Sequence, residues 1–133
     1  MGLFRKKETP PQDWPQELVP NEGTEFVRGV TYNQVNIKAI GKGKHKFALV
    51  AEPTNKADRD AVMVCAIVKQ GLAKVGYLPA GEYKTEHFQA LAARLESEKV
   101  LLVSNGKVEK IEGGLGVQLQ LPKWQWLKER LAQ

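Results

Sequence analysis

The chain has 133 residues, 42% of them hydrophobic and 26% charged, with a formal charge of +5 and a single cysteine. That length suits one domain able to bury about two-thirds of its unfolded surface. The longest unbroken apolar run, residues 61–68, falls far short of the roughly 20 residues that a membrane-spanning helix needs. One cysteine makes neither an internal disulfide nor a cysteine-rich zinc site. The expectation is a cytoplasmic protein with no membrane association, no metal and no cofactor. A pI near 9.4 points to an acidic partner, and the basic excess falls in two stretches, 23–60 and 99–133.

The first residues, MGLFRKKETPPQ, are basic but lack the apolar stretch and small-residue cleavage site of a secretory signal. Lys6 stands where a myristoylation motif wants Ser or Thr. Pro10, Pro11, Pro15 and Pro20 punctuate residues 1–22 without sustained periodicity, which predicts an extended arm that Trp14 can dock. A β-rich domain over 23–122 follows. Its short runs are EFVRGVTY (25–32), KFALVAE (46–52), AVMVCAIV (61–68) and LAKVGYL (72–78).

From 81 to about 98 the spacing turns helical: Phe88, Leu91, Ala92 and Leu95 make one apolar stripe, leaving Glu82, Lys84, Glu86 and Arg94 for solvent. VLLV and KVEKI then flank Ser104, Asn105 and Gly106, where Asn-Gly signals a hairpin because both residues tolerate positive φ. GVQLQLP alternates Val117, Leu119 and Leu121 inward with Gln118 and Gln120 outward. The tail 123–133, KWQWLKERLAQ, puts Trp124, Leu127 and Leu131 on one side of a short helix. The predicted class is α+β, mainly β with one packed helix, its six or seven short strands curling into a small barrel that limits open edges.

Three groups of residues can carry chemistry. The stretch 38–46, KAIGKGKHK, reads as a loop in which Lys38, Lys42, Lys44, Lys46 and His45 are interleaved with Gly41 and Gly43. Such a loop either gathers phosphates or simply keeps the surface soluble. It lacks the spacing of a P-loop. In EPTNKADRDAV, Pro53 stops a strand and Thr54, Asn55 and Asp58 can bond nearby amides as Asx-type and ST-type turns do. Glu52, Asp58 and Asp60 would suit a metal-dependent nuclease only with further acidic or histidine ligands, which the sequence does not space suitably. Tyr32, at the end of the first predicted strand, either stacks on a base or packs half-buried. Cys65 sits within VMVCAIV as a buried thiol, unconnected by any motif to His45 or His87. An enzyme is not the economical reading.

EFVRGVTY, LVAEPTNKADRDAVMV and KVGYLP occur in the order and approximate spacing of the HIRAN pattern. That pattern is a G-hydrophobic-x-Y strand, an E-P-x-N-x-x-D-x-x-A-hydrophobic-x-V turn and strand, then hydrophobic-G-Y-hydrophobic-P. The chain resembles a HIRAN domain from residue 25 to about 95, continuing to VQLQLP. The resemblance implies a modified OB-like β-barrel that, as in the best understood eukaryotic member, binds single-stranded DNA at its 3′ end. It implies that Tyr32 stacks on a terminal base, Asn55 holds the last nucleotide and Asp58 accepts a hydrogen bond from the 3′-hydroxyl. Tyr77 of the third motif and Lys38, Lys42, Lys44 and Lys46 complete the expected nucleic-acid-binding set. Two departures stand out. Ala57 replaces an aromatic of the end-binding member and Thr31 replaces an arginine, removing one stacking ring and one phosphate contact. A competing reading is a protein-interaction or self-association module, with the Trp124 and Trp126 tail or the Pro-rich arm as anchor.

Overall fold

In the computed structural model, which describes residues 9–79 and 85–133, strand β3 (Gly43–Ala51) is buried without interruption from Phe47 to its end. FALVA is a continuous apolar run because both faces of the strand are covered. Phe47, Leu49 and Ala51 enter the main core with Phe88, Leu91 and Leu95. Ala48 and Val50 enter a smaller cluster on the other face with Met63, Cys65, Leu101 and Val103.

Around β3 lie β1 (Gln16–Leu18), β2 (Gly23–Phe26), β4 (Val62–Val68), β5 (Gly71–Tyr77), β6 (Leu101–Ile111) and β7 (Gly114–Leu121), with helices α1 (Gln34–Ile40), α2 (Thr85–Ser97) and α3 (Trp124–Ala132). The architecture is α+β: one mainly antiparallel seven-stranded sheet, ordered β2-β7-β6-β3-β4-β5, with β1 beside β6. Residues 1–8, including Lys6, and Gly81, Glu82 and Lys84 of the predicted helix lie outside the described residues.

The proline-rich segment explains why β3 needs an apolar outer face. β1 pairs in parallel with β6, from Gln16 opposite Leu101 to Leu18 opposite Val103. Before it, Trp14 packs on the outer cluster. Gln12 Nε2 donates to the Lys69 carbonyl at 2.6 Å, and Leu101 N–H donates to the Pro15 carbonyl at 2.8 Å. The segment therefore crosses the outside of β4, β3 and β6.

Helix α2 buries the predicted stripe of Phe88, Leu91, Ala92 and Leu95. Arg94, expected in solvent, instead donates to the carbonyls of Arg130 at 3.0 Å and Leu131 at 3.3 Å. Its cation meets the negative C-terminal end of α3. In α3, Leu127 is buried while Trp126 and Leu131 pack against the core. Trp124 remains 42% exposed, with its ring 4.7 Å from that of His87.

Four expectations are corrected. Residues 25–32 are not one strand. β2 stops at Phe26, Arg28 forms an isolated bridge to Tyr77, and Gly29 turns the chain at φ 81° into a 3-10 turn over Val30–Asn33. Helix α1 follows, so the basic stretch is not a loop: Lys38 lies in the last turn of α1, while Lys44 and Lys46 lie on β3. Helix α1, not expected from the sequence, accordingly joins α2 and the C-terminal helix α3, where the predicted class had one packed helix. Finally, Asn105-Gly106 is mid-strand, and the β6–β7 reversal comes at Glu112 and Gly113. Gly106 is required by space instead: a Cβ there would lie 2.6 Å from the Gln118 carbonyl oxygen and 3.0 Å from the Phe47 ring.

The edge strands β2 and β5 approach but share no continuous ladder. Arg28 and Tyr77 exchange backbone hydrogen bonds of 2.8 and 2.9 Å, and a Cβ on the facing Gly76 would fall on the Arg28 carbonyl. Beyond this bridge α1 spans the gap with side-chain amides. Gln34 Nε2 donates to the Leu115 carbonyl and Gln34 Oε1 accepts its N–H, at 2.8 and 3.0 Å. Asn36 Nδ2 donates to the Lys74 carbonyl at 2.8 Å. These bonds occupy edge groups that would otherwise offer a pairing template.

Candidate nucleic-acid interface

The EPTNKADRDA segment joins β3 to β4 and bonds largely to itself. Asn55 Oδ1 accepts the backbone N–H groups of Ala57 at 2.9 Å and Asp58 at 3.0 Å, and Asp58 Oδ1 accepts that of Asp60 at 2.9 Å. Each side chain replaces a backbone partner that a tight turn cannot supply. Asn55 Nδ2 also donates to Glu52 Oε1 at 2.9 Å. Asn55 therefore shapes the turn with both ends of its amide.

Glu52 is the point of convergence. Its Oε1 also accepts the Tyr77 hydroxyl at 2.6 Å. Burial foremost, and then the bond to Glu52, push the Tyr77 phenol above its ordinary value of 10.0, keeping it a neutral donor. Lys74 Nζ lies 4.5 Å from the centre of the Tyr77 ring, a cation-π distance. The arrangement ties the β3–β4 turn to the end of β5, joining Glu52 and Tyr77 across 25 positions of sequence.

A cavity of about 650 Å³ opens beside this network. Glu52, Asn55, Lys56 and Lys74 form its polar wall and Met63 and Leu72 part of its apolar one. Ala57 lies on the wall as well. The volume falls in the range of small-molecule and nucleotide-sized sites.

The predicted residues divide between separate places. At one end of β3, Asn55 lines the cavity; Asp58 and Tyr77 do not, but adjoin it through bonds to Asn55 and Glu52 respectively. Lys42 and Lys44 lie at the other end, about 27 Å from Glu52 for eight extended residues. Lys46 is also there, its Nζ bonded to Asn105 Oδ1 at 3.0 Å. Lys38 projects from α1. Tyr32 is 90% exposed on the 3-10 turn and borders none of the cavities described.

Sequence reasoning did not select Lys56 and Lys74 for the site. Lys56 was legible as one of the two residues between Asn55 and Asp58. Lys74 needed the pairing of β5 with β4, where it stands opposite Cys65. Cys65 is fully buried, and burial pushes its thiol up to about 12, so it does not supply a nucleophile. Among the described residues, Glu52, Asp58 and Asp60 do not gather into a metal-ligand group. Set beside family models, curated proteins and solved structures, the chain matches none.

Proposed function

We propose that this chain is a non-enzymatic module that binds single-stranded DNA, taking a 3′ end into the cavity beside Glu52, Asn55 and Lys74. The observation that carries the reading is that cavity: about 650 Å³, with two lysines and a self-bonded polar turn facing an apolar wall. A terminal nucleotide needs those three surfaces. Lys56 and Lys74 neutralise phosphate, Met63 and Leu72 receive the flat base, and Asp58 accepts the sugar hydroxyl. Asp58 uses only Oδ1 within the turn among the described residues, leaving Oδ2 as an acceptor. Asn55 acts by fixing the turn that presents Asp58.

A modified OB-like barrel is the finer description of the scaffold. The Arg28–Tyr77 bridge and the α1 amides support it, because together they join edges that a flat sheet would leave apart. OB-type barrels commonly bind oligonucleotides across a curved strand surface.

Fluorescence anisotropy with oligonucleotides ending in a 3′-hydroxyl or a 3′-phosphate tests the assignment. Tighter binding of the hydroxyl end is expected, with the preference lost in Asp58→Asn, and Lys74→Ala should weaken both ends. Equal affinity for the two ends in the unaltered protein would remove end recognition. No association at low salt would remove nucleic-acid binding.

A further inference from the structure

A row of side chains outside the cavity runs across four strands. Phe26 of β2 stands opposite Gln118 of β7, Gln118 opposite Lys107 of β6, and Lys107 opposite Lys44 of β3. Residues directly opposite in antiparallel pairs project from the same side of a sheet. Val27, Val117 and Val108, adjacent to Phe26, Gln118 and Lys107, are buried, as is Phe47, which lies three residues beyond Lys44 and so on the opposite face, so the row faces outward. At about 4.8 Å per strand it is roughly 14 Å long.

Two properties of the row oppose stability and favour a ligand. Phe26 is 51% exposed on an open sheet face. Lys44 and Lys107 stand directly opposite each other, an arrangement that repels. Glu109 offsets Lys107 at 3.4 Å, whereas Lys44 has no carboxylate partner among the described residues. A cleft of about 440 Å³ borders both lysines and Asn105. An outward ring beside cations on a β surface suits unpaired bases, which stack on the ring while their phosphates meet the lysines.

We propose that this row is a second contact for single-stranded nucleic acid, with Phe26 as its stacking platform and Lys44 and Lys107 as its phosphate contacts. The proposal rests on the nucleic-acid reading of the cavity and adds the path of the strand away from its end. The two places are about 27 Å apart along β3, so only a longer oligomer reaches both.

Affinities of 3′-hydroxyl oligothymidylates of about 4 and about 16 nucleotides, the limits of OB-fold site sizes, distinguish the possibilities. Phe26→Ala and the double variant Lys44→Ala/Lys107→Ala should each weaken the longer oligomer at least about fivefold, as loss of one stacked base does. The shorter oligomer should bind these variants as it binds the unaltered protein, and Phe26→Tyr should retain full affinity. Unchanged binding of the longer oligomer by both variants would overturn the proposal and leave the cavity reading standing. Equal losses at both lengths would also overturn it. If the unaltered protein binds neither oligomer at about 50 mM salt, both readings fall.

Discussion

Ala57 donates its N–H to Asn55 and exposes its side chain at the wall of the cavity. The turn is therefore set by a backbone bond that any residue except proline can make. Placing an aromatic there adds a stacking surface without disturbing that bond. Ala57→Tyr should raise affinity for a 3′-hydroxyl oligonucleotide by about fivefold or more, measured by anisotropy. Unchanged affinity would mean that bases do not reach that wall. The motif letters made Asn55, Asp58 and Tyr77 legible in the sequence. Their actual partners were not, because the Tyr77–Glu52 bond depends on strand pairing between distant segments. Gly106 shows the same limit: Asn-Gly matches a turn locally, but the ring of Phe47 and the backbone of β7 decide its use.

At the scale of elements, β1 and α3 are fastened by Glu17 and Arg130, with Arg130 Nε and a second guanidinium nitrogen 2.7 and 2.8 Å from the two carboxylate oxygens. The Arg130 hydrogen bonds hold the Glu17 carboxyl below its ordinary value of 4.5, against the opposing effect of burial. Because the folded value is depressed, the stabilisation is complete above the unfolded value and lost as pH falls through the folded one. Glu17→Gln should cost about 1 kcal/mol near neutral pH. In urea melts, the difference from the unaltered protein should shrink as pH falls below 4.5. A difference that stays constant into acid would show that the charge pair contributes nothing. Helix α2 was legible from its apolar stripe, and the C-terminal helix from Leu127 and Leu131. Helix α1 was obscured because it turns only Ile37 and Ile40 toward the core and the preceding FVRGV looks extended locally. Its anchors are amide side chains, which carry no hydrophobic periodicity.

The whole molecule presents one curled sheet whose outer surface is partly covered by the segment containing Trp14, while its two ends carry different chemistry. One end gathers the Glu52 network, Lys56 and Lys74. The other offers Lys44, Lys107 and the ring of Phe26. Charge composition indicated a polyanion but could not show that β3 holds the basic groups apart, because that separation is a property of strand length. On the proposed reading, binding through both ends would neutralise about four phosphates and release their counterions, giving a slope of log affinity against log salt of about −2.8. The most direct measurement is the equilibrium affinity of the intact chain for a labelled single strand of about 16 nucleotides, titrated between about 50 and 200 mM salt. The account predicts saturable binding with a slope near that value. Absence of binding at the lowest salt, or affinity independent of salt, would contradict it.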